Sequence, residues 1–207
     1  MRVLSPCRNN NLLFLLVITD LSFFFLNILL KAGFITSALF SIQTDLGLAE
    51  IFQYLKEYWI VCILIVLGYR RSALIYVAWA FLFTYLLLDD SLQIHENLGM
   101  ELTRFLESKT AFGLASQDIG ELIVSALFGG LFFILIGVVF LKAKKADRVV
   151  SKSLFYMVVI LAFFGAGRLL GLFAVGIFGR AIVLLIVYIA VFKFYKKIVC
   201  LTTTYQN

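Results

Sequence analysis

The chain has 207 residues, of which 63% are hydrophobic and 14% are charged, and its formal net charge is +6. A typical soluble domain is about 45–50% apolar and about 25% charged, so this composition excludes an ordinary soluble domain. Several apolar runs approach the roughly 20 residues that cross the hydrocarbon core of a bilayer. The sequence therefore predicts an all-α, polytopic integral membrane protein, a helical bundle forming a single transmembrane domain over residues 1–207.

The apolar runs predict six membrane-spanning helices. The first run begins like a secretion signal, but it continues past Asp20 without a cleavage site of small residues, which indicates a retained span. The second run is the least clean, because Lys56 and Glu57 interrupt its start. We place the spans at about 12–31, 52–69, 72–89, 119–141, 154–178 and 181–200, with an outer loop over about 90–118.

The distribution of positive charge predicts the orientation of these spans. Lys and Arg concentrate in cytoplasmic loops, whereas acidic residues contribute little to orientation. With both termini in the cytoplasm, twelve of the 18 basic residues lie on the inner side with one acid, Asp147, and ten acids lie on the outer side with five bases that include Lys56. Both termini are therefore predicted to be cytoplasmic, and the short loops favour a bacterial inner membrane.

The same charge distribution bears on partners. The basic inner side is expected to contact the anionic headgroups of the lipid bilayer. Nucleic-acid binding requires a basic soluble surface with interleaved polar and aromatic groups, and the sequence has no such pattern. The bilayer is thus the expected partner, and a homo-oligomer is an open alternative for a chain too small to enclose a wide pore alone.

An acidic stretch follows the third apolar run, "LLLDDSLQIHENLG" at residues 86–99. It contains Asp89, Asp90, Glu96 and His95, the single histidine of the chain. If the third helix continues through Gly99 at about 100° per residue, Asp89 and Glu96 share one face and His95 lies roughly opposite. This geometry predicts that His95 does not converge with the aspartates on one ligand unless the helix breaks or a neighbouring helix contributes.

A buried arginine completes the predicted site. Arg168 falls inside the fifth span, where a charge costs at least about 2.5–3.5 kcal/mol and needs an acidic partner. On the first span, Asp20, Asn27 and Lys31 form a polar stripe at helical spacing, which we expect to face the bundle. We predict an outward-facing polar chamber lined by Asp89, Asp90, Glu96, Glu121 and Arg168, with Asp20 deeper.

Simpler interpretations of these residues stay open. Asp89 and Asp90 are also typical of a helix end at the water interface, and Asp118 with Glu121 resembles a capping box that opens the fourth span. His95 is either a hydrogen-bonded interfacial residue or a pH-sensitive group or metal ligand. In the last case Asp90 and Glu96 are its predicted co-ligands.

The predicted function is cation or proton transport, conduction or sensing. Buried acids near an intramembrane arginine are typical of ion and proton paths. The alternatives are a membrane-embedded metal-dependent hydrolase with a carboxylate and His95 centre, and a non-catalytic membrane subunit. A single histidine excludes a bis-histidine haem and a multi-histidine zinc site, and no nucleotide-binding loop is present. A divalent cation is the cofactor that the acidic cluster would suit.

Overall fold

The computed structural model describes residues 11–41, 47–106 and 116–169, together with the single residues 186 and 189. These residues form α1 (Asn11–Lys31), a 3-10 turn (Ala38–Phe40), α2 (Leu48–Arg71), α3 (Leu74–Leu92), α4 (Ile94–Leu106), α5 (Ser116–Lys142) and α6 (Lys145–Leu169). Within the described ranges, α1, α2, α3 and α5 are long and apolar enough to cross a membrane. The prediction of an all-α chain is confirmed for this part of the protein.

The predicted boundaries need correction in several places. The second span begins at Leu48 rather than at 52, so Lys56 and Glu57 lie inside α2 and not at its edge. The predicted outer loop over 90–118 is wrong in part, because α4 occupies its first half. The predicted fifth span begins within α6, while residues 170–178 and nearly all of the predicted sixth span, 181–200, lie outside the described residues.

Helix α3 is the central helix of the described bundle. It is apolar on all sides, as expected of a buried helix, and it packs against α2, α4, α5 and α6. Trp79, Tyr76 and Phe83 are fully buried, and Ile60 and Leu64 of α2 belong to the same core. Because α3 is shared by so many neighbours, the residues at its two ends lie where several helices meet.

The turn between α2 and α3 makes these two helices antiparallel neighbours. Ser72 ends α2 in the left-handed conformation with a φ of 46°. A Cβ on Gly68 would lie 2.8 Å from Cγ2 of Val77, so the helices are close already at the turn. At the far end of the pair, the Tyr54 hydroxyl donates to the backbone carbonyl of Asp90 at 3.1 Å. The start of α2 is therefore held beside the end of α3.

The bundle has two chemically different ends. We call the end where α3 meets α4 the acidic end, defined by Glu50, Asp89, Asp90, His95 and Glu96. We call the opposite end, at the α2–α3 and α5–α6 turns, the basic end, defined by Arg70, Arg71, Lys142, Lys144, Lys145 and Arg148.

A buried carboxylate fixes the basic end. Asp147 is 1% exposed, and its Oδ1 accepts from Arg71 at 2.9 Å and from the Tyr76 hydroxyl at 2.8 Å. One turn further along α6, Ser151 accepts from the indole N–H of Trp79 at 2.8 Å. These bonds attach α6 to the α2–α3 pair. They explain why Asp147, an acid, is buried at an end where most charged residues are basic.

Helices α4 and α5 touch through glycine. A Cβ on Gly99 would lie 2.7 Å from the backbone nitrogen of Glu121, and a Cβ on Gly120 would overlap the carbonyl oxygen of Gly99. Only residues without a side chain allow this approach of the two backbones. The contact holds α4 across the start of α5, next to the end of α3.

Helix α1 runs antiparallel to α2. Of its side chains from residue 14 onwards, which the structure describes, Leu16 and Asn27 are buried. The Phe23 ring lies 5.6 Å from the ring of Phe52, measured between centroids. Lys31, the last member of the predicted polar stripe, is exposed. The stripe thus faces the bundle along most of the helix and leaves it at the acidic end.

Candidate functional site

The acidic site depends on a break between α3 and α4. Gln93 adopts the left-handed conformation with a φ of 52°, and its N–H donates to the carbonyl of Asp89. For a residue other than glycine this conformation costs about 1–2 kcal/mol. The chain therefore turns after Leu92, and the third helix does not continue through Gly99. The prediction that His95 lies opposite the aspartates is wrong for this reason.

Asp89 bridges the break with both of its carboxylate oxygens. Its Oδ1 accepts from the backbone N–H of His95 at 2.9 Å, and its Oδ2 lies 3.0 Å from Nδ1 of the His95 ring. Oδ2 and Nδ1 are as close as the atoms of an ion pair. Their relative orientation is unfavourable for a hydrogen bond, so Nδ1 has no hydrogen-bond partner among the described residues. A carboxylate on the free N–H groups of a first helical turn stabilises that turn. Asp89 of α3 thus caps α4.

The electrostatic environment favours a proton on His95. The contact with the Asp89 carboxylate raises the pKa of His95 above its ordinary value, and partial burial opposes this shift. The charges of Asp90 and Glu96 act in the same direction as Asp89. The protonated imidazolium is therefore stabilised by three carboxylates from α3 and α4.

The same groups can surround a cation. Ligand atoms of Asp89, Asp90 and His95 all lie within 4.8 Å of one another. Carboxylate oxygens with one imidazole nitrogen suit several divalent cations. A metal ligand must be deprotonated, so a proton and a metal ion would compete for His95.

Two tyrosines and two further acids from α2 and α3 extend the site. The charges of Glu50, Glu57 and Asp90 act on the hydroxyl of Tyr54. Those of Asp89 and Asp90 act on the hydroxyl of Tyr85, whose ring stacks on the α5 aromatic Phe128 at 5.0 Å. None of these four α2 and α3 neighbours was among the site residues that the sequence predicted.

Asp20 has a partner that the sequence did not predict. Nζ of Lys56 donates to Oδ1 of Asp20 at 2.7 Å, and the Lys56 side chain is 0% exposed. The same nitrogen lies 5.1 Å from the centroid of the Phe52 ring. The expectation that Lys56 is an outer-side base is therefore corrected: it is a buried cation that ties α2 to α1.

A family model for a domain of unknown function (DUF8692) matches residues 26–190. The chain belongs to this family. Neither the curated proteins nor the solved structures contain a match to the chain. The DUF8692 segment includes Lys56, Asp89, Asp90 and His95, whereas Asp20 precedes it.

Among the described chamber residues, Glu96 lies beside the cluster and Glu121 is paired on its own helix. Within this DUF8692 segment, Glu96 is half-buried at the start of α4, and its charge acts on His95. Glu121 accepts from Gln117 on its own helix at 2.9 Å. The side chain of Arg168 lies outside the described residues, so its pairing with the acids stays a prediction.

The capping-box interpretation can also be compared with the structure, and so can the spacing of Ser91, which lies four residues before His95 in the sequence. Helix α5 begins at Ser116, so Asp118 lies inside its first turn and not at the capping position that precedes a helix. The hydroxyl of Ser91 donates to the carbonyl of Leu88 at 3.4 Å. That bond directs Ser91 towards its own helix, and the described part of the chain contains no hydrogen bond from it to His95.

The pairing of Lys56 with Asp20, which sequence reasoning missed, had a detectable signal. Lys56 is a base inside an apolar stretch, and Asp20 is an acid inside another. Opposite charges buried in two different spans are expected to pair, because each alone is costly in hydrocarbon. The position of His95 beside Asp89 had no such signal. It depends on the left-handed conformation of Gln93, and glutamine is not a residue that favours this conformation.

Proposed function

We propose that this protein is a multi-span membrane protein that binds protons or a metal cation at its acidic end and passes them across the membrane. One observation supports this most: ligand atoms of Asp89, Asp90 and His95 lie within 4.8 Å of one another at the end of a candidate span. Acids gathered at the mouth of a membrane protein concentrate cations there. Within our proposal, a homo-oligomer completes the pathway.

The proposed orientation places the acidic end outside and the basic end in the cytoplasm. The bases at the α2–α3 and α5–α6 turns support this, because Lys and Arg favour cytoplasmic loops. In this orientation six spans place both termini in the cytoplasm, and the membrane is a bacterial inner membrane. The cluster then meets the external medium, where pH and cation concentration vary.

His95 supplies the pH dependence of the proposed site. Protonated His95 occupies the Asp89 carboxylate as an internal cation. When His95 loses its proton, its imidazole nitrogen and the Asp89 carboxylate can bind another proton or a metal ion from the external medium. Because its pKa is raised, this exchange occurs at a higher pH than for a free histidine.

A liposome flux assay tests the proposal. Purified protein is reconstituted, and proton and divalent-cation fluxes are recorded while the external pH is varied. We expect flux in the wild type and at least a tenfold loss in Asp90→Asn and in Asp89→Asn, because each removes a charged ligand. Glu101→Gln is the control, since Glu101 is an exposed acid paired with Arg104 on α4. Wild-type liposomes that conduct no better than empty ones would contradict the proposal.

A membrane-embedded metal-dependent hydrolase is the second candidate. It is favoured by the composition of the cluster, since catalytic metal sites commonly have three protein ligands and one open position. Its signature is Mn²⁺ or Zn²⁺ bound at one ion per chain, lost in Asp90→Asn, together with an absence of flux. Flux without metal binding would exclude it.

A further inference from the structure

The ion pair between Lys56 and Asp20 lies deep inside two candidate spans. Asp20 is nine residues from the start of α1 and eleven from its end, about 14 Å and 17 Å along the axis. Lys56 is eight residues into α2, about 12 Å from the acidic end. Ionisable residues at such depth are costly in a membrane and are commonly functional.

The pair is built asymmetrically. Oδ1 of Asp20 accepts from Lys56 at 2.7 Å, while Oδ2 is buried and has no hydrogen-bond partner among the described residues. Lys56 also interacts electrostatically with Glu57, its neighbour in α2, which is 1% exposed. The charged groups that act on Lys56 in the described part of the chain are thus Asp20 and Glu57. One oxygen of Asp20 has no hydrogen-bond partner and can accept a proton, and the charge of a second carboxylate, Glu57, also acts on Lys56.

We propose that Asp20 is a second proton-binding site, inside the membrane, and that the charge of Glu57 compensates Lys56 when Asp20 is protonated. A proton from water at the acidic end forms an O–H bond at Oδ2 and neutralises the carboxylate. The Lys56 ammonium keeps its three protons and is then compensated by the Glu57 carboxylate. Loss of the proton reverses the exchange. The inference rests on the proposed function in naming the proton as the species that moves.

A row of interacting groups joins the two sites. The Tyr54 hydroxyl donates to the backbone of Asp90 and feels the charge of Glu57, which in turn acts on Lys56. These interactions, one hydrogen bond and two electrostatic, link α2 residues between the acidic end and the pair. A buried ammonium beside this route repels metal cations, whereas a proton can bind to the carboxylates along it. The geometry therefore favours protons over metal ions as the transported species.

The exchange also has a structural consequence. The Lys56–Asp20 bond is a polar tie between α1 and α2, beside the ring contact of Phe23 with Phe52. Protonation of Asp20 weakens this tie and frees α1 to move against α2. A proton taken up at this depth is thereby coupled to the position of a helix.

Infrared difference spectroscopy of the full chain in lipid nanodiscs tests the inference. Lowering the pH should produce the carbonyl stretch of a protonated carboxylic acid, and Asp20→Asn should lack this band while Glu101→Gln keeps it. In Lys56→Met the band should appear at a higher pH, because the carboxylate has lost its cation. Lys56→Arg keeps the charge and should leave the band near the wild-type pH, which separates loss of charge from loss of the fold.

Flux measurements separate this inference from the proposed function. If wild-type flux is present and Asp20→Asn reduces it at least tenfold, the inference is supported. If the band is unchanged in Asp20→Asn and flux is also unchanged, the inference is overturned while the proposed function stands. If the wild type shows no flux, the proposed function fails, and the band alone then decides whether Asp20 binds a proton.

Discussion

Two buried charges, Lys56 and Asp89, organise the described bundle at the level of single residues. Lys56 is fully enclosed and joins α2 to α1, and Asp89 joins α3 to α4 by capping the N–H of His95. A buried charge is costly unless its partner and hydrogen bonds are in place. Each residue therefore depends on a neighbour from another helix, so these sites are sensitive to single substitutions.

Removing the Lys56 charge should destabilise the protein far more than removing an exposed one. Lys56→Met leaves Asp20 without its cation, and breaking such a buried pair costs about 3–5 kcal/mol. Replacing both partners, in Lys56→Met with Asp20→Leu, should recover most of that loss because no unpaired charge remains. Equilibrium unfolding in mixed micelles measures the free energy of each variant.

Arg104 supplies the matched control for this cycle. Its ion pair with Glu101 is on the surface of α4, with side chains 72% and 68% exposed, so Arg104→Met should cost less than about 1 kcal/mol. Equal losses in Lys56→Met and Arg104→Met would show that the Lys56 pair is not buried in the protein.

Helix α4 owes its position to packing and not to hydrophobicity. Its 13 residues are too few to cross a bilayer, and its contact with α5 is made by the backbones at Gly99 and Gly120. A search for long apolar runs therefore does not detect α4, and for this reason the sequence predicted a loop over residues 90–118. The four candidate spans were predictable because each one contains a long apolar run.

Substitution at the glycine contact should displace α4. Gly120→Ala places a methyl group against the carbonyl of Gly99, and overpacking of this kind costs about 1–3 kcal/mol. Gly129→Ala on the same helix meets nothing within 4 Å and should be neutral or stabilising by up to about 1 kcal/mol. Thermal unfolding in nanodiscs compares the two. An equally stable Gly120→Ala would contradict the close approach of α4 and α5.

The site illustrates why sequence periodicity reached the right residues but not their arrangement. Asp89, Asp90 and His95 were identified because they are polar residues at the end of an apolar run. Their relative positions depend on one backbone angle at Gln93, and helical periodicity assumes that no such break occurs. The Lys56–Asp20 pair was missed because the predicted second span began at residue 52, four residues later than α2 does. Lys56 was therefore assigned to the edge of the helix.

On the scale of the whole molecule, charge is divided between two ends. A buried acid, Asp147, holds the basic end together, while the acids of the opposite end converge on His95. The sequence predicted a separation of this kind, because its basic residues are concentrated in alternate loops. The separation of basic from acidic residues is also the basis of the proposed orientation in the membrane. The predicted contribution of Arg168 and of the last span stays a prediction.

The most direct test of the central claim is a titration of His95, whose signals are unambiguous because the chain has one histidine. With isotope-labelled histidine in nanodiscs, NMR should give a pKa above about 6.5 in the wild type. In Asp89→Asn it should fall towards that value. Because the folded-state pKa is raised, protonated His95 stabilises the fold below about pH 6.5, and this contribution is lost as the pH rises through the raised pKa. A wild-type pKa at or below the free value, unchanged in Asp89→Asn, would contradict the claim that α3 and α4 bring His95 onto Asp89.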